Sequence, residues 1–288
     1  MSRPLPKPLA AIAAAAALAA VAAGCGSSSS SSTDTTASAA DCTPDQLQTQ
    51  TAGELTVATD KPAYPPYFVD NDPTNGKGFE SATAYAIADQ LGYSRSQVNW
   101  ATEPFNSSYA PGPKDFDFDV NQISITPPRE QHVDFSAPYY TANQAVVASK
   151  GSSVADATSL ADLQDAQIGV QIGTTSLDAV DSEIQPSSQP KVFNDSNDVV
   201  TALKAGQVDA VVVDLPTALY LTAAQVPTAT IVGQFSAPGG DEWGALMAKD
   251  SPLTACVSKA VEDLQSSGEL AKIENRWMSQ AAKAPNLD

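Results

Sequence analysis

An α/β architecture is predicted by three features of the sequence. From Glu54 onward, short runs rich in Val, Ile and Phe alternate with longer segments of helical spacing. Turn and cap residues such as Gly92, Thr126-Pro127-Pro128, Ser251-Pro252 and Gly268 punctuate the alternation. The 288 residues suffice for two modest domains or one large one.

Glu54–Thr59 reads as the first strand. Phe79 to Leu91 reads as a helix with Phe79, Thr83, Ala86, Ile87 and Leu91 on one face, and Gly92 ends it. Val98–Ala101 and Phe116–Ile123 are further strands, the second alternating apolar and polar residues from Asp117. The Pro- and Ser-rich stretch Pro104–Pro113 between them reads as a loop. Thr126 should cap a short helix opened by Pro127. Downstream, strands are expected at Gln144–Ala148, Gln167–Val170, Lys191–Phe193, Asp209–Val213, Thr230–Val232 and Trp243–Ala248. Helices are expected at Ser159–Gln164, Thr174–Ile184, Ser196–Ala205 and Leu215–Ala224. Ser251-Pro252 suits an N-cap and first turn for a helix to about Gln265, and Gly268 separates it from a last helix carrying Trp277. No internal sequence repeat is evident.

The step from Asp119 to Glu130 carries the most chemistry. A strand running into a helix start offers free backbone N–H groups beside the Ser124 hydroxyl, and Arg129 follows about one turn later. N–H groups, a hydroxyl and a guanidinium fork together suit a carboxylate. The alternative is an Arg129 solvated on a surface turn.

Charge is one-sided: 15 Lys and Arg against 33 Asp and Glu, a net −18. Such a chain is repelled by nucleic acid and anionic membrane surfaces. Residues 1–24 read as a leader, with Arg3 and Lys7 preceding an apolar run from Leu9 to Ala23 that is short for a membrane span. The run ends in Val-Ala-Ala-Gly-Cys25, which resembles a bacterial lipobox and implies lipidation of Cys25; Ala22 stands where Leu is usual, and ordinary secretory cleavage is the alternative. Residues 25–41 would be the anchor and a Ser/Thr-rich linker, Gly26 to Ala40 spanning roughly 20 Å as a flexible coil. If Cys25 carries lipid, Cys42 and Cys256 remain, and an exported compartment permits a disulfide between them, two free thiols being the alternative.

The segment "SITPPREQHVDFSAPYY" resembles the bacterial extracellular solute-binding proteins of family 3, which serve polar amino-acid ABC transporters. "LTVATDKPAYPPYFV", "GVQIGTTSLDAV", "VVVDLPTALYL" and "IENRWM" follow the same family in the same order, so the resemblance covers nearly the whole mature chain. It implies a two-lobed periplasmic-binding-protein type II fold, with lobe 1 at 42–141 plus 237–288 and lobe 2 at 142–236. Two extended crossovers near 141–143 and 235–241 would hinge a ligand cleft. It further implies that Arg129 and Ser124 bind a ligand α-carboxylate, that the Gly173-Thr174-Thr175 turn completes that pocket, and that Asp214 takes the α-ammonium group. An ordinary helix start remains open for Thr174 and Thr175, and an N-cap for Asp214. Asp60, Tyr64, Phe105, Asn121 and Gln122 fall where relatives line the side-chain pocket, with turn capping the alternative for Asp60 and loop packing for Tyr64. Glu80 matches an acidic family position, but Ser81 and Ala82 depart from the usual residues after it, so a structural role is expected. The resemblance implies a free amino acid and an ABC permease as partners, a monomer, no cofactor, and attachment to the outer face of the cell membrane.

Catalysis finds little support. His132 is the single histidine, no Gly-x-Ser-x-Gly elbow supplies it with a nucleophile, and no His/Cys cluster has metal-ligand spacing. A periplasmic dehydratase of the cyclohexadienyl type is the enzymatic alternative, with Glu80 or Asp60 as its nominal acid. A ligand-presenting sensor component is a third.

Overall fold

The computed structural model describes residues 42–237, 239–278 and 284–287. The leader, Cys25 and the Ser/Thr-rich linker lie outside the described residues. Among the described residues ten strands form two five-stranded sheets.

The first sheet contains β1 (Leu55–Thr59), β2 (Val98–Thr102), β3 (Phe118–Asp119), β4 (Val133–Ala142) and β10 (Asp241–Ala248), in the order β2-β1-β3-β10-β4. β1 runs parallel to β2 and β3, and β10 runs antiparallel to β3 and β4. Helix α1 (Phe79–Gln90) buries Phe79, Thr83 and Ile87 of the face that the spacing predicts, as does Leu91 just past its end, while Ala86 is half-buried and Ala88 is buried in addition. It starts at Gly78, where φ is 103° and any Cβ would collide with the Tyr67 carbonyl oxygen at 2.2 Å, so only glycine fits. Two helices, α7 (Thr254–Ser266) and α8 (Glu269–Trp277), complete this half. Its core is aromatic: Trp243 is fully buried and met by the rings of Tyr67, Tyr139 and Tyr140. Cys42 and Cys256 form a disulfide that ties the described N-terminus to α7.

The second sheet contains β5 (Gln144–Ser149), β6 (Ile168–Gln171), β7 (Lys191–Phe193), β8 (Ala210–Asp214) and β9 (Ala229–Phe235), in the order β7-β6-β8-β5-β9. β6 runs parallel to β7 and β8, and β5 runs antiparallel to β8 and β9. Val, Ala, Ile and Leu fill both faces, with Phe235 the largest buried side chain. Helices α4 (Thr175–Ala179), α5 (Ser196–Lys204) and α6 (Leu215–Tyr220) pack here; α4 and α6 each run on into a wider π-type turn, at 180–184 and 221–225. Residues 284–287 lie along β9, with the Gln234 N–H bonded to the Pro285 carbonyl and the Leu287 N–H to that of Gln234. Leu287 is buried in this core and presses on Gly233, where a Cβ would stand 2.5 Å from it.

The sequence reading is corrected at five places. The strand expected over 116–123 closes after Asp119, because Gln122 takes a left-handed φ of 51° and turns the chain. β4 is a full ten-residue strand that propensity hides, since Pro138 sits within it at an irregularity of the β4–β10 ladder. The stretch 104–113 holds one helical turn, α2 (Phe105–Ser108), whose Ser107 and Ala110 carbonyls accept from the Lys114 ammonium. Ser159–Gln164 is only a 3₁₀ turn, at Leu160–Leu163. Ser251 does not cap α7: its hydroxyl accepts from the Leu253 N–H in a turn, and the helix starts at Thr254. Among the described residues no helix is long and apolar enough to cross a membrane.

Candidate functional site

A cavity of about 340 Å³ opens between the two sheets. Six loops line it, each leaving the carboxyl end of a parallel strand: after β1, β2 and β3 on one side and after β6, β7 and β8 on the other. In α/β sheets this is where ligands bind. All ten ligand residues anticipated from the sequence line it: Asp60, Tyr64, Phe105, Asn121, Gln122, Ser124, Arg129, Thr174, Thr175 and Asp214.

Arg129 lies on α3 (Pro127–Glu130), whose N-cap Thr126 accepts from the Arg129 N–H. The side chain is buried at 7% exposure, so the solvated-surface alternative is excluded. One guanidinium nitrogen donates to the Ser124 carbonyl at 2.6 Å and the other to the Gly173 carbonyl, across the cavity, at 2.9 Å. The Tyr109 ring covers its face at 4.7 Å, and Phe105 lies 5.5 Å away. Burial pulls its pKa down, and the charges of Tyr109, Asp178, Asp241 and Asp214 act against that. Among the described residues no carboxylate is ion-paired with Arg129. A buried guanidinium of this kind is costly unless an anion meets it.

The opposite wall starts at Thr174, which caps α4 by accepting from the Leu177 N–H, while its own hydroxyl donates to the Gln171 carbonyl. Thr174 is therefore a true helix cap, and Thr175 is the hydroxyl that faces across, 3.3 Å from that of Ser124. Asp214 ends β8 and stands at the N-cap position of α6 without a side-chain capping bond; its carboxylate accepts instead from the Gln144 side-chain amide at 2.7 Å. Burial, then the neighbouring Asp241 charge, raise its pKa to about 8.

Asp60 follows β1. It lines the cavity, and its two oxygens accept from the N–H groups of Lys61 and Phe105. Burial raises its pKa, with the charge of Asp195 from the opposite wall adding to the effect. Tyr64 stacks on Tyr220 of α6, ring centroids 5.7 Å apart, which joins the two walls. Gln122 lines the cavity with its amide nitrogen and its backbone N–H both donating to Glu80. Glu80 is fully buried, also accepts from the Tyr139 hydroxyl at 2.6 Å, and does not line the cavity. Its role is to clamp the Gln122 bend; burial lifts its pKa to about 7 despite those three bonds. His132 is exposed.

Several lining or supporting residues escape sequence reasoning. Tyr67 and Thr217, 150 positions apart, share a hydrogen bond of 2.8 Å across the cavity. Ser196 donates to Gln171, Asn106 donates to the Asn194 carbonyl, and Asp195 caps α5 at the cavity edge. Only the Asp195-Ser196 helix start carries a local signal; the rest are long-range pairings.

Residues 55–280 match the bacterial extracellular solute-binding proteins, family 3. The arginine-binding extracellular protein ArtP of Bacillus subtilis (strain 168) is 30% identical over 208 residues, covering 70% of this chain and 78% of that protein. An ancestral arginine-binding protein, solved bound to glutamine, superposes with a TM-score of 0.67 at 32% identity, covering 79% of this chain and 99% of that one. The ancestral amino acid-binding protein AncCDT-1, a precursor of cyclohexadienyl dehydratase, superposes with a TM-score of 0.63 at 28% identity, covering 78% and 95%. With two α/β halves, a cleft at the strand ends and a match over most of its length, this chain belongs to the bacterial extracellular solute-binding proteins of family 3.

Proposed function

We propose that the protein captures a free amino acid with a basic or amide side chain and delivers it to an ABC permease, with no covalent chemistry. One observation carries this: a single cavity sets on one wall a buried Arg129 that is ion-paired with no carboxylate among the described residues, and on the other Asp214. A zwitterion has both complements. Its carboxylate would meet Arg129 with the Ser124 and Thr175 hydroxyls, and its ammonium would meet Asp214. Asp60 and Asp195 give the remainder of the cavity a negative field, which favours Lys, Arg, His or Gln side chains over aliphatic ones and disfavours Asp and Glu. Tyr64 and Phe105 offer flat faces to a guanidinium or amide.

In this reading residues 42–141 with 237–288 form one lobe and 142–236 the other, the short segment 284–287 reaching onto the second sheet. The receptor works as a monomer held to the outer face of the membrane through lipid on Cys25. Of the two acids nominal for the dehydratase alternative, Glu80 does not line the cavity, and Asp60 lines it with its oxygens already bonded to the Lys61 and Phe105 N–H groups.

A thermal-shift panel of the twenty amino acids tests the reading. A selective ligand at a hundred times its Kd adds about 2.7 kcal/mol of stability. Basic or amide amino acids should give the largest shifts and Asp and Glu the smallest, and Asp60→Asn should weaken a cationic ligand more than an amide one. Glu or Leu as the tightest ligand would refute the assignment of the side-chain pocket.

A further inference from the structure

Where the chain crosses between the sheets, two carboxylates share one amide. Gln144, fully buried at the start of β5, donates through its side-chain nitrogen to Asp214 and to Asp241, each at 2.7 Å. Its side-chain oxygen accepts from the Ser176 hydroxyl at 2.6 Å. A primary amide has two N–H donors and one carbonyl, so every polar valence directed at these neighbours is taken and the amide cannot flip. Asp241 opens β10, is fully buried, and pairs in register with Ala142 at the end of β4. It does not line the cavity.

We propose that Asp241 is a positioning residue for the ammonium end of the ligand, aiming Asp214 through Gln144 and placing a second negative charge behind it. The inference rests on the reading of Asp214 as the ammonium acceptor. With Asp214 ionised, two carboxylates held by one neutral amide leave a surplus negative charge, and a bound ammonium is the group that offsets it. The groups acting on Asp214 are Asp241 and Glu80, which oppose its ionisation, and Gln144 and Arg129, which favour it. With its pKa near 8, Asp214 in the free protein is largely protonated at pH 7, so an arriving ammonium displaces a proton. Because β5 and β10 are the strands on either side of the crossovers, the same network joins the ammonium site to both.

Calorimetry with L-arginine as the probe, at pH 6 and pH 8.5, separates this role from a merely structural one. Removing one nearby charge shifts Asp214 by about one pKa unit, a tenfold effect. Asp241→Asn should therefore bind L-arginine about tenfold more weakly at pH 8.5. At pH 6 the loss should nearly vanish, since the variant's Asp214 then ionises more easily. Titrations at pH 7 in two buffers of different ionisation enthalpy should find about one proton released by the wild type on binding, and fewer by the variant. An equal loss at both pH values, or no loss, overturns the proposal. So does a wild type that releases no proton, a measurement that stands even if the variant does not fold. Asp214→Asn separates the two readings. If it retains wild-type affinity, the ammonium site itself is wrong; if it loses binding while Asp241→Asn is silent, only the role of Asp241 falls.

Discussion

In the first sheet the strand returning from the crossover, β10, lies antiparallel between β3 and β4; in the second the arriving strand, β5, holds the same place between β8 and β9. Strand order is thus repeated, and so are the loops of the cavity. Asp60 after β1 corresponds in position to the Thr174–Ser176 turn after β6, and the Ser124–Arg129 step after β3 corresponds to Asp214 at the end of β8. The contents differ. The first half has an aromatic core and a disulfide, and it offers the cavity long side chains clamped by long-range bonds, as Glu80 clamps Gln122. The second half is filled by smaller aliphatic residues and offers helix starts, hydroxyls and two carboxylates, Asp195 and Asp214. The two halves thus repeat one strand order and set the Arg129 guanidinium on one wall of the cavity and the Asp214 carboxylate on the other.

The disulfide is the sharpest asymmetry and should give the largest effect. It closes a loop of 214 residues, for which chain entropy alone predicts roughly 5 kcal/mol, an upper figure because residual structure in the unfolded chain reduces it. Reduction, or Cys42→Ala with Cys256→Ala, should lower the denaturation midpoint strongly. Hydrogen exchange should show the loss first in α7 and the strands it covers, while β6 and β8 stay protected longer. Equal loosening of both halves would mean that the staple supports the molecule as a whole and not the first half in particular.

Arg129 comes next. Arg129→Ala removes a charged, hydrogen-bonded group and should weaken amino-acid binding by about 2–4 kcal/mol, roughly 30- to 1000-fold. Arg129→Lys keeps the charge but loses the fork that spans Ser124 and Gly173, so it should fall well short of rescue. Calorimetry placing Arg129→Ala within threefold of wild type would break the assignment of opposite charges to opposite walls.

What could be seen in the sequence divides along the same physical line. The strand-to-helix steps that carry Ser124, Arg129, Thr174 and Asp214 were legible because cap residues and prolines write that geometry locally, while the roles of Thr174 and Asp214 came only from the family resemblance. The strand ends and helix starts of the second half were legible for the same reason. The Gln122 bend was not, because a left-handed glutamine is held there by Glu80, forty-two residues earlier in the chain. Nor was β4, whose Pro138 is tolerated only because the ladder with β10 shifts at that point. Tyr67 with Thr217, and Gln144 with Asp214 and Asp241, are pairings over 70 to 150 positions that no local pattern encodes.

Tyr67 gives the smallest effect and the finest test of how the two walls act together. Its ring belongs to the first half, packed edge-on against Trp243 at 5.6 Å, and its hydroxyl belongs to the cavity, 2.8 Å from that of Thr217. Tyr67→Phe keeps the ring and removes only the cross-cleft bond. A neutral hydrogen bond contributes about 0.5–1.5 kcal/mol net, so ligand affinity should fall by roughly two- to tenfold. If the two halves approach only on closure around ligand, the open protein never makes this bond, and the stability of the unliganded variant should match wild type. Burial already holds the Tyr67 phenol far above its usual pKa, so the loss should not vary between pH 6 and 9. An unchanged affinity with a lower melting temperature would reverse the conclusion. The bond would then be part of the resting scaffold, and Tyr64 stacked on Tyr220 would be left as the contact that reports closure.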